Sequence, residues 1–228
     1  MPRFFCPESV RQNATFALDP RVAQHVRVLR LREGESIVLF DGSGGEVPAT
    51  LEKIDKREVV VATSAHVAIE RESTHAITLY PALIANDRMD WMIQKATELG
   101  ATAIQPMYSE RSQRIPGDVD KRVEHWRGVA IAACEQCGRN RIPEIHAPVV
   151  LADAIATTRT QSTILLDAEG DGTLNSIENS CAVFVGPEGG FSPAELSLLR
   201  EHCERKLRIG MTILRAETAA VAALARLI

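Results

Sequence analysis

The chain of 228 residues has no apolar stretch of membrane-spanning length, which excludes a helical membrane protein. Its first residues lack the apolar core of a signal peptide, so a cytoplasmic location is expected. Cysteine is scarce: five, an odd number in a chain of this size, fit reduced thiols better than a disulfide framework. No G-x-x-x-x-G-K-S/T is present, which argues against a phosphate-cradling P-loop, and no G-x-G-x-x-G follows an early strand, so a dinucleotide-binding unit lacks its fingerprint. Internal repeats and low-complexity segments are absent as well. With 45% hydrophobic and 25% charged residues, the composition is that of a soluble globular protein with core enough for one or two domains.

The net charge of −4 argues weakly against a nucleic-acid partner, but its distribution is uneven. Residues 1–32 hold six arginines (3, 11, 21, 27, 30 and 32) against Glu8 and Asp19. Residues 111–141 hold Arg111, Arg114, Lys121, Arg122, Arg127, Arg139 and Arg141 against four acids. These runs are either solvated faces or a basic stripe that contacts phosphates.

Two regions differ in pattern. Residues 1–72 read as a small β domain: a strand at Ser36–Phe40, a turn at 41–45, its partner at 46–51, and further strands at 59–62 and 65–69. The polar stretch 70–74 is the expected linker. From residue 73 to 228 strands alternate with helices, the pattern of a parallel α/β sheet. Strands are expected at 77–84, 101–107, 162–166, 181–185 and 207–209. Helices are expected at 88–99, 119–137 and 214–228, the first with Met89, Met92, Ile93, Ala96 and Leu99 on one face.

Two glycine-bearing loops stand out in the second region. Cys181–Val185 is short, apolar and partly β-branched, a buried strand, and it breaks into Gly186-Pro187-Glu188-Gly189-Gly190-Phe191. Ser192-Pro193-Ala194-Glu195 then has the form of a capping box with proline at the first helical position. About twenty residues on, Ile209-Gly210-Met211-Thr212-Ile213-Leu214-Arg215-Ala216-Glu217 makes a second loop entering a helix. Each could be an ordinary tight turn. Together, at the ends of two strands, they can form one ligand pocket in the manner of α/β sheets.

The order of short segments along the chain is more specific than any of them alone. Met1-Pro2-Arg3-Phe4-Phe5 is followed by His25-Val26-Arg27-Val28-Leu29-Arg30, Lys95-Ala96-Thr97-Glu98-Leu99-Gly100, Glu110-Arg111-Ser112 and Glu135-Gln136-Cys137-Gly138-Arg139, then by the two loops. In these segments the chain resembles the SPOUT-class RNA methyltransferases, and within them the bacterial small-subunit (16S) ribosomal RNA uracil-N3 methyltransferase family. The resemblance implies a PUA/OB-like β-barrel ahead of an α/β domain with a trefoil knot, a homodimer acting on 16S rRNA in the small ribosomal subunit, and S-adenosylmethionine as cofactor with no metal. It places the cofactor against Leu166, Gly186, Pro187, Gly189, Gly190, Ile209, Gly210 and Leu214. Arg215 becomes the candidate for stabilising a uracil anion, with Glu217, Glu188 or Glu135 as base or orienting group. Arg3, Arg11, His25, Arg27, Arg30, Arg111, Arg139 and Arg141 become candidate RNA contacts. In that family an arginine usually stands where this chain has Thr212.

Other residues admit plainer readings. Cys134-x-x-Cys137 lies in an expected helix without a second cysteine pair, which favours inert packing over zinc or redox chemistry. His25 reads as an RNA contact or a structural histidine, and His202-Cys203 as part of a helix end. Arg215 and Glu217 could simply pair with each other. Three alternative functions stay open: a SPOUT tRNA ribose 2′-O-methyltransferase, a non-catalytic RNA-binding ribosome-assembly factor, and a small-molecule α/β enzyme using a nucleotide.

Overall fold

The computed structural model describes residues 1–8, 10–115, 117–158, 162–170 and 180–228. They fall into two units, Met1–Glu72 with Cys134–Ile142, and Ser73–Ala133 with Pro143–Ile228.

In the first unit, β1 (Arg3–Phe5), β2 (Thr15–Ala17), β3 (Ser36–Phe40), β4 (Val47–Ile54) and β5 (Val59–Thr63) form a five-stranded sheet in the order β1-β3-β4-β5-β2. Only β1 and β3 run parallel. Alternation sets the buried face: Val47, Ala49 and Leu51 of β4 and Val59 and Val61 of β5 point inward with Phe4, Ile37 and Leu39. Helix α1 (Pro20–Val28) closes this core with Val22, Ala23 and Val26. This helix is not among the expected elements, although Asp19 caps it by accepting from the Arg21 N–H and Pro20 opens it. The expected strand at 65–69 shrinks to a single bridge between Glu46 and Val67.

The expected linker is part of this fold. Glu70 pairs with Arg141 at 3.1 Å, Arg71 with Glu46 at 3.0 Å, and Glu72 with the buried Arg139. Arg3 also reaches Glu46, at 2.6 Å, and donates to Asn140, whose amide donates to the Ile69 carbonyl. Burial pushes the Glu46 carboxyl up, but the Arg71 and Arg3 guanidiniums more than offset this and hold it below the usual range. These bonds bind Cys134–Ile142, which the 73–228 boundary placed in the second domain, to the first unit.

The second unit is built on a six-stranded, fully parallel sheet in the order β13-β11-β12-β6-β7-β9. Along the chain its elements are β6 (Ala76–Pro81), α2 (Asn86–Glu98), β7 (Ala103–Ile104), β8 (Met107–Tyr108), α3 (Val119–Cys137, in this unit up to Ala133), β9 (Glu144–Ile145), β10 (Val149–Val150), α4 (Leu151–Thr157), β11 (Ser162–Leu166), β12 (Ser180–Val185), α5 (Pro193–His202), β13 (Arg205–Leu207) and α6 (Ala216–Leu227). The run expected to be one strand at 101–107 is divided because Pro106 has no N–H for a ladder; β7 joins the main sheet and β8 pairs with β10.

Strand β12 is buried from Cys181 to Val185, so both sheet faces need covering. On one face Tyr80, Leu165, Ala182 and Phe184 pack with Leu151 and Ala154 of α4 and Leu199 and Cys203 at α5. Tyr80 and Phe184 stack there with centroids 4.7 Å apart. Helix α6 lies against β11 and β12 and packs on α2. Its buried positions Ala220, Ala223, Leu224 and Leu227 follow helical periodicity, and the small alanines admit close approach.

Arg139→Ala removes the partner of a largely buried carboxylate and should destabilise the first unit by about 3–5 kcal/mol. Urea unfolding monitored by circular dichroism checks this; an unchanged midpoint would refute a structural role for the pair.

Candidate cofactor cavity

Parallel strands deliver their chain connections to one edge of the sheet, and three of them do so side by side. After β12 comes the Gly186–Ser192 loop, after β11 the segment from Asp167 to Gly170, and after β13 the loop from Arg208 to Arg215. They enclose a cavity of about 740 Å³, joined by Arg88 from α2. This is where open α/β sheets bind ligands.

Local chemistry shapes each wall. Ser192 caps α5 by accepting from the Glu195 N–H, and Glu195 Oε2 accepts from the Ser192 N–H at 2.9 Å, the expected capping box. The other Glu195 oxygen accepts from the Glu110 N–H at 2.7 Å, and Arg111 donates to the Gly189 carbonyl at 3.1 Å. The glycine loop is thus braced by the chain after β8. The Phe191 ring folds back over Gly186, where a Cβ would stand 3.2 Å from it; Gly190 has φ +68°, which glycine adopts without strain. Gly170 lies so close to β13 that a Cβ would meet the Lys206 carbonyl oxygen at 2.7 Å.

Of the expected cofactor residues, Leu166, Gly186, Pro187, Gly189, Gly190, Ile209 and Leu214 line the cavity, and Thr212 lines it too. Gly210 does not; it turns the second loop at φ +74°. Leu166, Val185, Leu207, Ile209 and Leu214 supply apolar wall, and glycine backbone brings amide edges close, a lining suited to a flat heteroaromatic group.

The charged groups are arranged differently from the expectation. Arg215 is the N-cap of α6, lines the cavity and makes no capping bond. Glu217, in the first turn of α6, does not pair with it: its Oε1 lies 4.0 Å from Arg88 Nε. Its Oε2 is buried with no hydrogen-bond partner among the described residues. Glu188 faces Arg88 at 3.5 Å and accepts from the Ala85 N–H at 3.2 Å. Burial raises the Asp167 carboxyl, but Arg200 at 2.8 Å and the Glu169 N–H outweigh it and hold the group below its ordinary range. Sequence reasoning missed Arg88, Asp167, Glu169 and Arg208, whose separation along the chain carries no spacing signal. A cation in the first turn of α2, against the helix dipole, was the one hint at Arg88.

Glu135 belongs to the first unit, and Arg215 and Glu217 to the second. Its Oε1 accepts from the Phe5 N–H at 2.9 Å and its Oε2 lies 3.8 Å from His25 Nδ1. Burial raises its carboxyl above the usual range, against the pull of the Phe5 N–H and His25. Of the expected RNA contacts, Arg3 and Arg139 are committed to the internal ion pairs described above, and Arg111 to the glycine loop. Exposed in the first unit are Arg11, set over the Phe16 ring, His25, edge-on to Phe4, Arg30 and Arg141. Arg27, partly buried, donates to the Asp55 carbonyl.

The Cys134-x-x-Cys137 pair is a packing feature. Cys134 is buried and donates weakly to the Arg141 carbonyl, and burial pushes its thiol up to about 12. Among the described residues no group of three or more His, Cys, Asp or Glu could hold a metal, and no helix is long and apolar enough to cross a membrane.

An all-parallel sheet with a glycine-walled cavity at its strand ends, in a chain carrying a second, small β unit, defines a two-part α/β protein with a ligand-sized cavity. The chain belongs to the RNA methyltransferase family: the family's RNA methyltransferase domain matches residues 71–228 and its PUA domain matches 18–63. Among its relatives is the ribosomal RNA small subunit methyltransferase E of Aquifex aeolicus, 32% identical over 95% of each chain. The enzyme of that name from Neisseria gonorrhoeae, solved bound to S-adenosyl methionine, is 34% identical with a TM-score of 0.92, covering 99% of this chain and 96% of its own. A methyltransferase from Legionella pneumophila in complex with the same cofactor is 34% identical with a TM-score of 0.91, covering 98% and 95%.

With thiols at Cys6, Cys134 and Cys203 raised to about 12 and Cys181 to about 11 by burial, the thiolate fraction near pH 8 is negligible. Native protein at pH 8 should therefore react with a disulfide reagent at Cys137 alone, and at all five cysteines in denaturant. Rapid native titration of Cys134 would contradict the packing role.

Proposed function

We propose that this chain transfers a methyl group from S-adenosylmethionine to N3 of a specific uridine of 16S rRNA in the small ribosomal subunit. The observation that carries the reading is the cavity at three adjacent strand ends, lined by both glycine loops, in a chain about one-third identical over nearly its full length to enzymes of that name. The lining fits the cofactor: apolar side chains and backbone amides for adenine, charged groups beyond them.

When bound, the cofactor supplies a methyl group made electrophilic by its sulfonium, so no metal is required. Uracil N3 carries a proton and is a poor nucleophile until it leaves. Arg215, which lines the cavity at the start of α6, stabilises the negative charge that spreads onto the flanking carbonyl oxygens. Glu217 takes the proton: its buried Oε2 lacks a donor among the described residues, whereas Glu188 is engaged by Ala85 and Arg88, and Glu135 by the Phe5 N–H. The target base must leave its stack to reach the cavity. Exposed Arg11, Arg30 and Arg141, with Arg27 and His25, hold the RNA backbone, which positions the substrate without reading its sequence. The chain works in the cytoplasm as a homodimer whose catalytic domain is trefoil-knotted. Met211 and Ile213, 89% and 88% exposed on the second loop, are surface that a second subunit would cover.

Purified protein incubated with the cofactor and unmethylated small ribosomal subunits should yield 3-methyluridine by nucleoside mass spectrometry. A 2′-O-methylated nucleoside in tRNA, or no product on any RNA, would overturn the assignment. Arg215→Ala should lower turnover by about 10²–10³-fold with little change in cofactor affinity. Full turnover in that variant would remove Arg215 from the chemistry.

A further inference from the structure

Helix α1 ends in a turn whose residue does not suit its backbone. The Leu31 N–H donates to the Val26 carbonyl at 3.3 Å and the Arg30 N–H to the Arg27 carbonyl at 3.0 Å, the nested pair of bonds of a Schellman cap. Such a cap needs one residue in the left-handed region, and glycine usually fills it. Here the residue is Arg30, at φ +54°. A side chain at that φ brings Cβ close to the next carbonyl, a strain that glycine would avoid. The cap itself therefore gives no reason for an arginine, and strain of this kind points to a use for the side chain.

The same cap sorts its neighbours. Leu31 packs against the core that holds Val26. Val28 and Leu29 are left outside, 65% and 48% exposed. From Pro20 to Arg32 every acidic or basic side chain apart from His25 is an arginine. Arg21, Arg30 and Arg32 are exposed and form no ion pair among the described residues. The acids on either side are held by backbone: Asp19 accepts from the Arg21 N–H at 2.8 Å, Glu33 from the Ile54 N–H at 2.8 Å and Glu35 from the Arg32 N–H at 3.2 Å.

An apolar step framed by unpaired guanidiniums fits a polyanion that also carries flat apolar faces, which describes single-stranded RNA. A second copy of this chain would set its own arginines against these. A membrane surface would need a broader apolar face than α1 offers, because Val22, Ala23 and Val26 are turned into the core.

We propose that Val28 and Leu29 form a wedge that packs against an unstacked base of the RNA, and that Arg30 stands in glycine's place to bind the phosphate beside that base. This rests on the RNA substrate proposed above, to which it adds a base contact.

Binding of unmethylated small ribosomal subunits to the full chain, measured over a salt series, tests the wedge. Changing Val28 and Leu29 together to serine should weaken binding about fivefold at every salt concentration, with the slope of log Kd against log salt unchanged. Arg30→Gly should keep or raise Tm, since glycine suits the turn, yet weaken binding and reduce that slope by about one. Native affinity in either variant would overturn the wedge. So would a serine variant that loses self-association in sedimentation, or loses binding to phosphatidylglycerol vesicles; these results would give the surface to a second copy or to a membrane. If the native chain neither binds nor methylates the subunits, the RNA reading itself fails. If the serine variant binds and methylates them as the native chain does, only the wedge fails.

Discussion

A strand buried on both faces must pair its backbone N–H and C=O groups within the sheet, and in β12 that requirement draws β11 to one side and β6 to the other, both parallel. Parallel pairing sends every connection back over a sheet face, so the following segments all emerge at the carboxyl edge. Central placement of one apolar strand thus decides where the cavity opens, which loops wall it and which helix, α2, lends it a cation. The stacked Tyr80 and Phe184 and the alanine-rich face of α6 follow from the same need to cover both faces.

Charge is handled by one rule in both units. In the first, arginines brought out of water are matched by carboxylates: Arg3 and Arg71 share Glu46, and Arg139 takes Glu72. These pairs fasten Cys134–Ile142 to the first unit. In the second, matching is incomplete at the cavity. Arg88 lines it at 3.5 Å from Glu188 and 4.0 Å from Glu217, and Glu217, in the first turn of α6, keeps a buried oxygen without a partner among the described residues. Incomplete pairing beside a cavity is an arrangement that a polar ligand can complete.

Much of the site was legible because its signals are local. Glycine and proline after an apolar run mark the loop, and Ser192 with Glu195 three residues on marks the helix start. Seven of the expected cofactor residues therefore do line the cavity. Gly210 stood in the same pattern but turns the loop instead, a difference of backbone direction that composition does not encode. Helix α1 has an Asp-Pro start legible in the letters, and Pro106 by itself is the reason for the divided strand. The arginines show the limit most clearly. Arg3, Arg139 and Arg30 are alike as letters, yet two are internal ion-pair partners and the third is exposed.

By itself the sequence determined the β-rich first region, the alternating α/β second region, the two glycine loops and the helix caps. All of these depend on neighbours within a few residues: side-chain periodicity, backbone freedom at glycine, and a capping oxygen three positions from its amide. Only the tertiary structure decided which charges meet. Arg88 and Glu188, Glu46 and Arg3, Glu135 and Phe5 are each separated by tens of residues or more, and a Coulombic or hydrogen-bonded pairing depends on distance in space, which the sheet order sets and the order of letters does not.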